Sequence, residues 1–171
     1  MAIVKATYTR KGGLAKQSIR YIEHRPGKDG ARVQRTLFTA EGKIARSEAY
    51  TMIDQATRTS YFYRFVFSPD PQGEDSDKHL LLRELAHKAV AALEDRLQRP
   101  VQWVAAIHDD HTDHRHVHVI AIVPERLQVR DFQHMRIAAT AEALTQRRHL
   151  DARREQSQEQ GDGLGLELSK W

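Results

Sequence analysis

The sequence contains no cysteine and no asparagine. Without thiols, disulfide staples and thiolate metal sites are both excluded, so any metal must be held by imidazole nitrogen and carboxylate oxygen. The lack of asparagine fits either selection against thermolabile side chains or plain compositional bias. Long apolar runs are missing too: no segment approaches the roughly 20 apolar residues of a membrane span, so no membrane insertion is expected. Residues 1–8 carry one lysine in a short apolar alternation and read as a strand instead of a secretory leader, which makes the cytoplasm the expected compartment.

What is present begins with size. A chain of 171 residues is long enough for one domain with its own core. Residues 1–150 are assigned to that domain and residues 151–171 to a polar, flexible tail. Lys and Arg number 27 against 23 Asp and Glu, a net charge of +4 before any of ten histidines is protonated. That balance admits an acidic partner such as nucleic acid, and an ordinary arginine-rich surface equally well.

Hydrophobic periodicity gives an order of elements. Residues 2–9 (AIVKATYT) read as a strand, followed by the basic turn Arg10-Lys11-Gly12-Gly13 and a helix from about Leu14 that turns Leu14, Ile19 and Ile22 inward. Pro26 disfavours helical geometry at Arg25 and ends it. Residues 32–38 fit a short polar edge strand, and residues 46–57 a helix with Ser47 as its candidate cap. The aromatic run 61–67 (YFYRFVF) is a strand, and residues 77–97 carry leucines at helical spacing. Strands follow over 101–108 and 114–123, then a helix over 131–148 and a loose polar tail over 151–165. This order predicts an α+β fold, a mainly antiparallel sheet covered by helices on one face, with the other face free for a site.

The richest chemistry lies in Ile107-His108-Asp109-Asp110-His111-Thr112-Asp113-His114-Arg115-His116-Val117-His118, where five of the ten histidines fall within residues 108–118. On a strand, side chains two apart share a face with a rise of roughly 6.6 Å, so His116 and His118 can converge on one ion while Val117, Val119, Ala121 and Val123 face a core. A symmetric hairpin would set His108 opposite His114 and diagonal to His116. Three imidazoles then meet a metal with coordination positions left open, as a catalytic site requires. His108 and His114 compete for the third position. Asp109, Asp110 and Asp113 are placed to accept the second ring N–H of a ligand histidine and fix its tautomer.

At this point the chain resembles the relaxase, or mobilisation nuclease, family, within the wider group of nucleases named for a His-hydrophobic-His signature. His108-Asp109-Asp110 through His116-Val117-His118 is similar to the family's histidine motif. Arg20-Tyr21-Ile22 at the end of the first helix is similar to its nucleophile motif. The similarity of order and spacing spans roughly residues 1–127. The resemblance implies a relaxase-like fold and a divalent metal, Mg²⁺ or Mn²⁺, held by His108, His116 and His118. It also implies site-specific nicking of single-stranded DNA through a 5′-phosphotyrosine on Tyr21. Its partners would be single-stranded DNA at a transfer origin and accessory mobilisation and conjugative transfer proteins. Tyr8, Tyr50, Tyr61 and Tyr63 are competing tyrosines. Arg10, Lys11, Lys16, Arg20, Arg25 and Lys28 form the expected basic surface for the DNA backbone. Two other readings stand beside this one: a metal-dependent phosphoester hydrolase with water as nucleophile, and a single-stranded DNA-binding module without catalysis.

Overall fold

A computed structural model describes residues 1–27, 29–110 and 112–168, the side chains of 162–168 aside. In chain order it contains β1 (Ile3–Thr9), α1 (Gly12–His24), β2 (Phe38–Thr39), β3 (Gly42–Lys43), α2 (Arg46–Asp54) and β4 (Tyr61–Ser68). Then come α3 (Leu82–Leu97), β5 (Gln102–His108), β6 (His116–Val123) and α4 (Val129–Leu168). The strands form one six-stranded sheet in the order β1-β4-β6-β5-β2-β3, with every pairing antiparallel. The fold is therefore α+β, as the alternation of periodicities predicts. No helix among the described residues is long and apolar enough to cross a membrane.

Strand alternation splits the core in two. Tyr63, Phe65 and Phe67 of β4 and Val117, Val119 and Ala121 of β6 pack under Leu85, Ala89 and Leu93 of α3 and Met135 and Ala139 of α4. The opposite face carries Phe62, Val104, Ala106 and Ile120, and it is not left bare. Ala15, Ile19 and Ile22 of α1 and Ala49 and Ile53 of α2 cover its centre. The expectation of helices on one face holds for α3 and α4, and the shorter α1 and α2 add cover on the other. The site occupies the end of that second face, beyond the last turn of α1.

Local differences from the sequence reading have identifiable causes. Residues 32–37 form no strand, because the Arg35 N–H donates to the Glu23 carbonyl (2.9 Å) and its side chain reaches Asp110. Only Phe38 pairs with β5, opposite Ala105. Ser47 lies inside α2 and does not cap it; the Glu48 carboxylate instead accepts the Ala45 N–H (2.9 Å). Helix α3 starts at Leu82 and not near 77, since Lys78 is held at φ 59, a left-handed conformation no helix tolerates. Helix α4 continues unbroken to Leu168, so the segment expected to be a loose tail is helical, with residues 151–161 exposed. The part of that expectation covering 169–171 lies outside the described residues.

Candidate metal centre

Three strands' worth of pairing builds the site. Register sets His108 of β5 directly opposite His116 of β6, and not opposite His114 as a symmetric hairpin would have it. His118 follows two positions along β6, paired with Ala106 on one side and Val66 on the other, in the middle of the sheet. Alternation then turns His108, His116 and His118 to one face. Their ring centroids are 5.1, 4.4 and 4.9 Å apart, and their ligating nitrogens lie within 4.8 Å of one another. His114 is exposed and contributes only its carbonyl oxygen, so His108 takes the third position.

Two of the rings have one nitrogen committed. His108 Nε2 lies 3.0 Å from the Ile22 carbonyl, and His116 Nδ1 lies 2.9 Å from the His114 carbonyl. A carbonyl oxygen only accepts, so those nitrogens carry the hydrogens, which leaves His108 Nδ1 and His116 Nε2 with free lone pairs. Backbone carbonyls therefore do what was expected of the aspartates. Asp110 is instead engaged by Arg35 through both carboxylate oxygens (2.8 and 3.0 Å), and Asp113 points to solvent with Lys78 at 3.4 Å. Asp109 lies beside Phe38, Lys43 and Arg83. The two carbonyls win because each belongs to a chain end or turn with an acceptor to spare: Ile22 sits in the last turn of α1, where helix carbonyls lack intrahelical donors.

His118 is buried, and neither of its ring nitrogens has a hydrogen-bond partner among the described residues. A buried orphan of this kind is destabilising unless something absent from the protein itself satisfies it. Burial, above all, drives the three imidazoles toward the neutral form. It holds His108 down to about 4 and His118 down to about 3, and it lowers His116. The positive charges of Arg35 and Arg25 act in the same direction on His108 and His116. Neutral imidazoles with inward lone pairs are the form that ligates a metal. The cluster fits a cation on its chemistry as well as its spacing.

The surroundings are cationic and open. One recess, of about 270 Å³, is lined by Arg25, Gly27, Arg35, His108, Asp110 and His116. On the other side of the cluster a trough runs past Lys5, Arg25, Val66, His116 and His118. Tyr21, 45% exposed at the end of α1, stands beside this region. The guanidinium carbons of Arg25 and Arg64 lie 5.9 and 6.0 Å from its ring centroid. The competing tyrosines are engaged differently, although Tyr8 and Tyr63 line, with Tyr21, the cleft between α1 and strands β1 and β4. Tyr63 is buried under α4 and its hydroxyl accepts the Leu127 N–H (2.8 Å), with burial pushing its pKa up. Tyr8 and Tyr61 meet it with tilted rings on the far face of the sheet, and Tyr50 of α2 lies beneath Lys16.

Among the described residues, the expected DNA-binding cations are engaged in different ways. Lys16 is drawn to Asp54 of α2 (2.6 Å), and Arg10 donates to the Arg58 carbonyl and lies over Tyr61. Lys11 and Arg20 are exposed, and Lys28 lies outside the described residues. Among the described residues of the set, Arg25 borders the histidines. Sequence reasoning missed Arg35 and Arg64; the latter was hidden inside an aromatic strand, where only its even-numbered position, in step with His118 across the ladder, could have flagged it. No protein-family model, curated protein or solved structure matches the chain.

Proposed function

We propose that the protein is a metal-dependent endonuclease that nicks single-stranded DNA, with Tyr21 as nucleophile. The observation that carries this reading is the three-histidine cluster, with both ring nitrogens of buried His118 lacking partners among the described residues, fastened by His108 to the turn of α1 that bears Tyr21. His108 Nδ1, His116 Nε2 and one nitrogen of His118 would hold a divalent cation, which when bound supplies Lewis-acid stabilisation of charge on a phosphate. Of Mg²⁺ and Mn²⁺ the all-imidazole donor set favours Mn²⁺, since Mg²⁺ is a hard cation that prefers oxygen.

The chain's own residues do the rest. Tyr21 Oη attacks phosphorus, forming an O–P bond as the P–O3′ bond breaks; the phenolic proton passes to water and the departing 3′ oxygen takes one up. The strand ends as a 5′-phosphotyrosine and a free 3′ hydroxyl, so the bond energy is kept for rejoining. Arg25 at the mouth of the site meets the backbone charge. The test is incubation with circular single-stranded DNA and Mn²⁺, followed by a denaturing gel. A protein–DNA adduct that requires the metal supports the reading. Cleavage without adduct selects a water-based phosphoesterase, and binding without cleavage selects a non-catalytic module.

A further inference from the structure

Arg64 is half-buried on β4, and among the described residues it closes on no carboxylate or carbonyl. That sets it apart from Arg35, Arg46, Arg96, Arg115 and Arg147, which pair with Asp110, Glu23, Asp131, Asp75 and Asp77. An arginine keeps its charge at any accessible pH, and a partly desolvated charge without a counter-ion is unfavourable. Its immediate neighbours do not compensate. It is flanked on the sheet by Ile120 of β6 and Thr7 of β1, its partners across the two ladders, and by Phe62, two positions back on its own strand, none of them charged. The Tyr21 ring at 6.0 Å offers a cation–π contact worth about 0.5–1 kcal/mol, less than a carboxylate or phosphate provides.

Its placement names the missing partner. Arg64 and His118 are diagonal neighbours on one face, since Arg64 pairs with Ile120 and Val66 with His118. Arg64 also lines an open cleft of about 500 Å³ between α1 and strands β1 and β4, with Thr7, Thr9, Ser18, Tyr21 and Phe62. A group that lies between Tyr21 and His118 and answers a planar guanidinium is an anion that offers it two oxygens, as a phosphate does. Resting on the nuclease reading above, we infer that Arg64 is a catalytic residue that grips the non-bridging oxygens of the phosphate Tyr21 attacks. The strand on one side of that phosphate then lies in the α1–β1–β4 cleft, where threonine and serine hydroxyls meet its backbone.

The experiment separates this inference from the reading it rests on. Fluorescein-labelled dT15 is titrated in EDTA, where the histidine cluster contributes no metal, against wild type, Arg64→Met and Arg64→Lys, with Mn²⁺ affinity as a control. Wild type binds dT15; Arg64→Met binds it about tenfold more weakly, the loss expected of one charged hydrogen-bonded contact, and its salt slope falls by about 0.7. Mn²⁺ affinity is unchanged. Arg64→Lys restores the salt slope but not adduct formation, because an ammonium cannot engage two oxygens at once. Should Arg64→Met fail to fold, the lysine variant still gives a decisive readout: adduct formation at the wild-type rate overturns the inference. Equal dT15 binding by wild type and Arg64→Met, or no binding by wild type, also overturns it. Arg64-dependent binding by a wild-type protein that forms no adduct overturns the nuclease reading and keeps the anion site.

Discussion

His108 Nε2 and the Ile22 carbonyl oxygen are 3.0 Å apart across 86 positions of sequence. One hydrogen bond thus fixes the tautomer of a candidate metal ligand, satisfies an orphan carbonyl at the end of α1, and holds the residue after Tyr21 against the cluster. The histidine cluster and the helix that carries Tyr21, the proposed nucleophile, are set in place by the same contact.

Removing that contact should therefore act on stability as well as on metal binding. His108→Ala is expected to lose Mn²⁺ binding and to destabilise the apo protein by about 1–3 kcal/mol, since it strands a buried carbonyl. His116→Ala should lose Mn²⁺ binding with a much smaller change, because its ring bonds only a local turn. Urea denaturation of both variants, with and without Mn²⁺, measures the difference. Equal destabilisation would show that the Ile22 contact does not anchor α1.

His118 should behave in the opposite sense. Its two orphan nitrogens burden the apo protein, so His118→Leu, of similar volume and without polar atoms, is expected to raise apo stability by about 1–2 kcal/mol while abolishing metal binding. A loss of apo stability in this variant would mean that the imidazole already has a partner.

Acidification gives a third prediction. In the folded apo protein His108 is held down to about 4, against an ordinary value of 6.5. Between those values the unfolded chain binds more protons than the folded one, so stability must fall as pH falls through that window and stay level in this term above it. His118, lowered to about 3, extends the loss further down. The carboxylates held below their ordinary range, Asp77 by its Arg147 bond foremost, act mainly at lower pH. The apo melting temperature is expected to drop from pH 7 to 5, and a variant with all three histidines replaced by leucine should be flatter. A wild-type melting temperature that rises over that interval would contradict the burial of neutral imidazoles.

The Arg35–Asp110 pair straps the loop after α1 to the β5–β6 turn, and Arg35 also donates to the Arg25 carbonyl (2.7 Å). Asp110→Ala leaves a mostly buried guanidinium without its counter-ion and is expected to destabilise by about 2–3 kcal/mol, discounted because the Asp110 side chain is 23% exposed. Mn²⁺ affinity should change little, since among the described residues no ring nitrogen bonds this carboxylate. A hundredfold loss of affinity, measured calorimetrically, would restore Asp110 as a direct partner of a ligand histidine.

The parts of this site that were legible in the sequence are those fixed by strand period. Val117, Val119 and Ala121 against His116 and His118 specify a core face and a polar face whatever the turn does. The hairpin register was not legible, because it depends on how the loop after His108 is satisfied; Arg115 leaves the hairpin to pair with Asp75. Nor were the acceptors of the ring hydrogens, which are backbone carbonyls with no side-chain signature. The end of α1 at Pro26 was readable from chain stereochemistry, whereas α1 and α2 covering the second face was not, since their apolar stripes do not say which side of a sheet they meet. The helical continuation past residue 150 shows no amphipathic pattern, so periodicity had nothing to report.

The central claim is that the Tyr21 oxygen becomes bonded to DNA, and mass spectrometry of a nuclease- and protease-digested adduct tests it most directly. The account predicts a nucleotide-modified peptide containing Tyr21 in wild type. Tyr21→Phe, which keeps the ring between Arg25 and Arg64, should fold, bind Mn²⁺ and bind DNA yet yield no adduct. Modification of Tyr8, Tyr50, Tyr61 or Tyr63, or metal-dependent cleavage with no modified tyrosine, would contradict it.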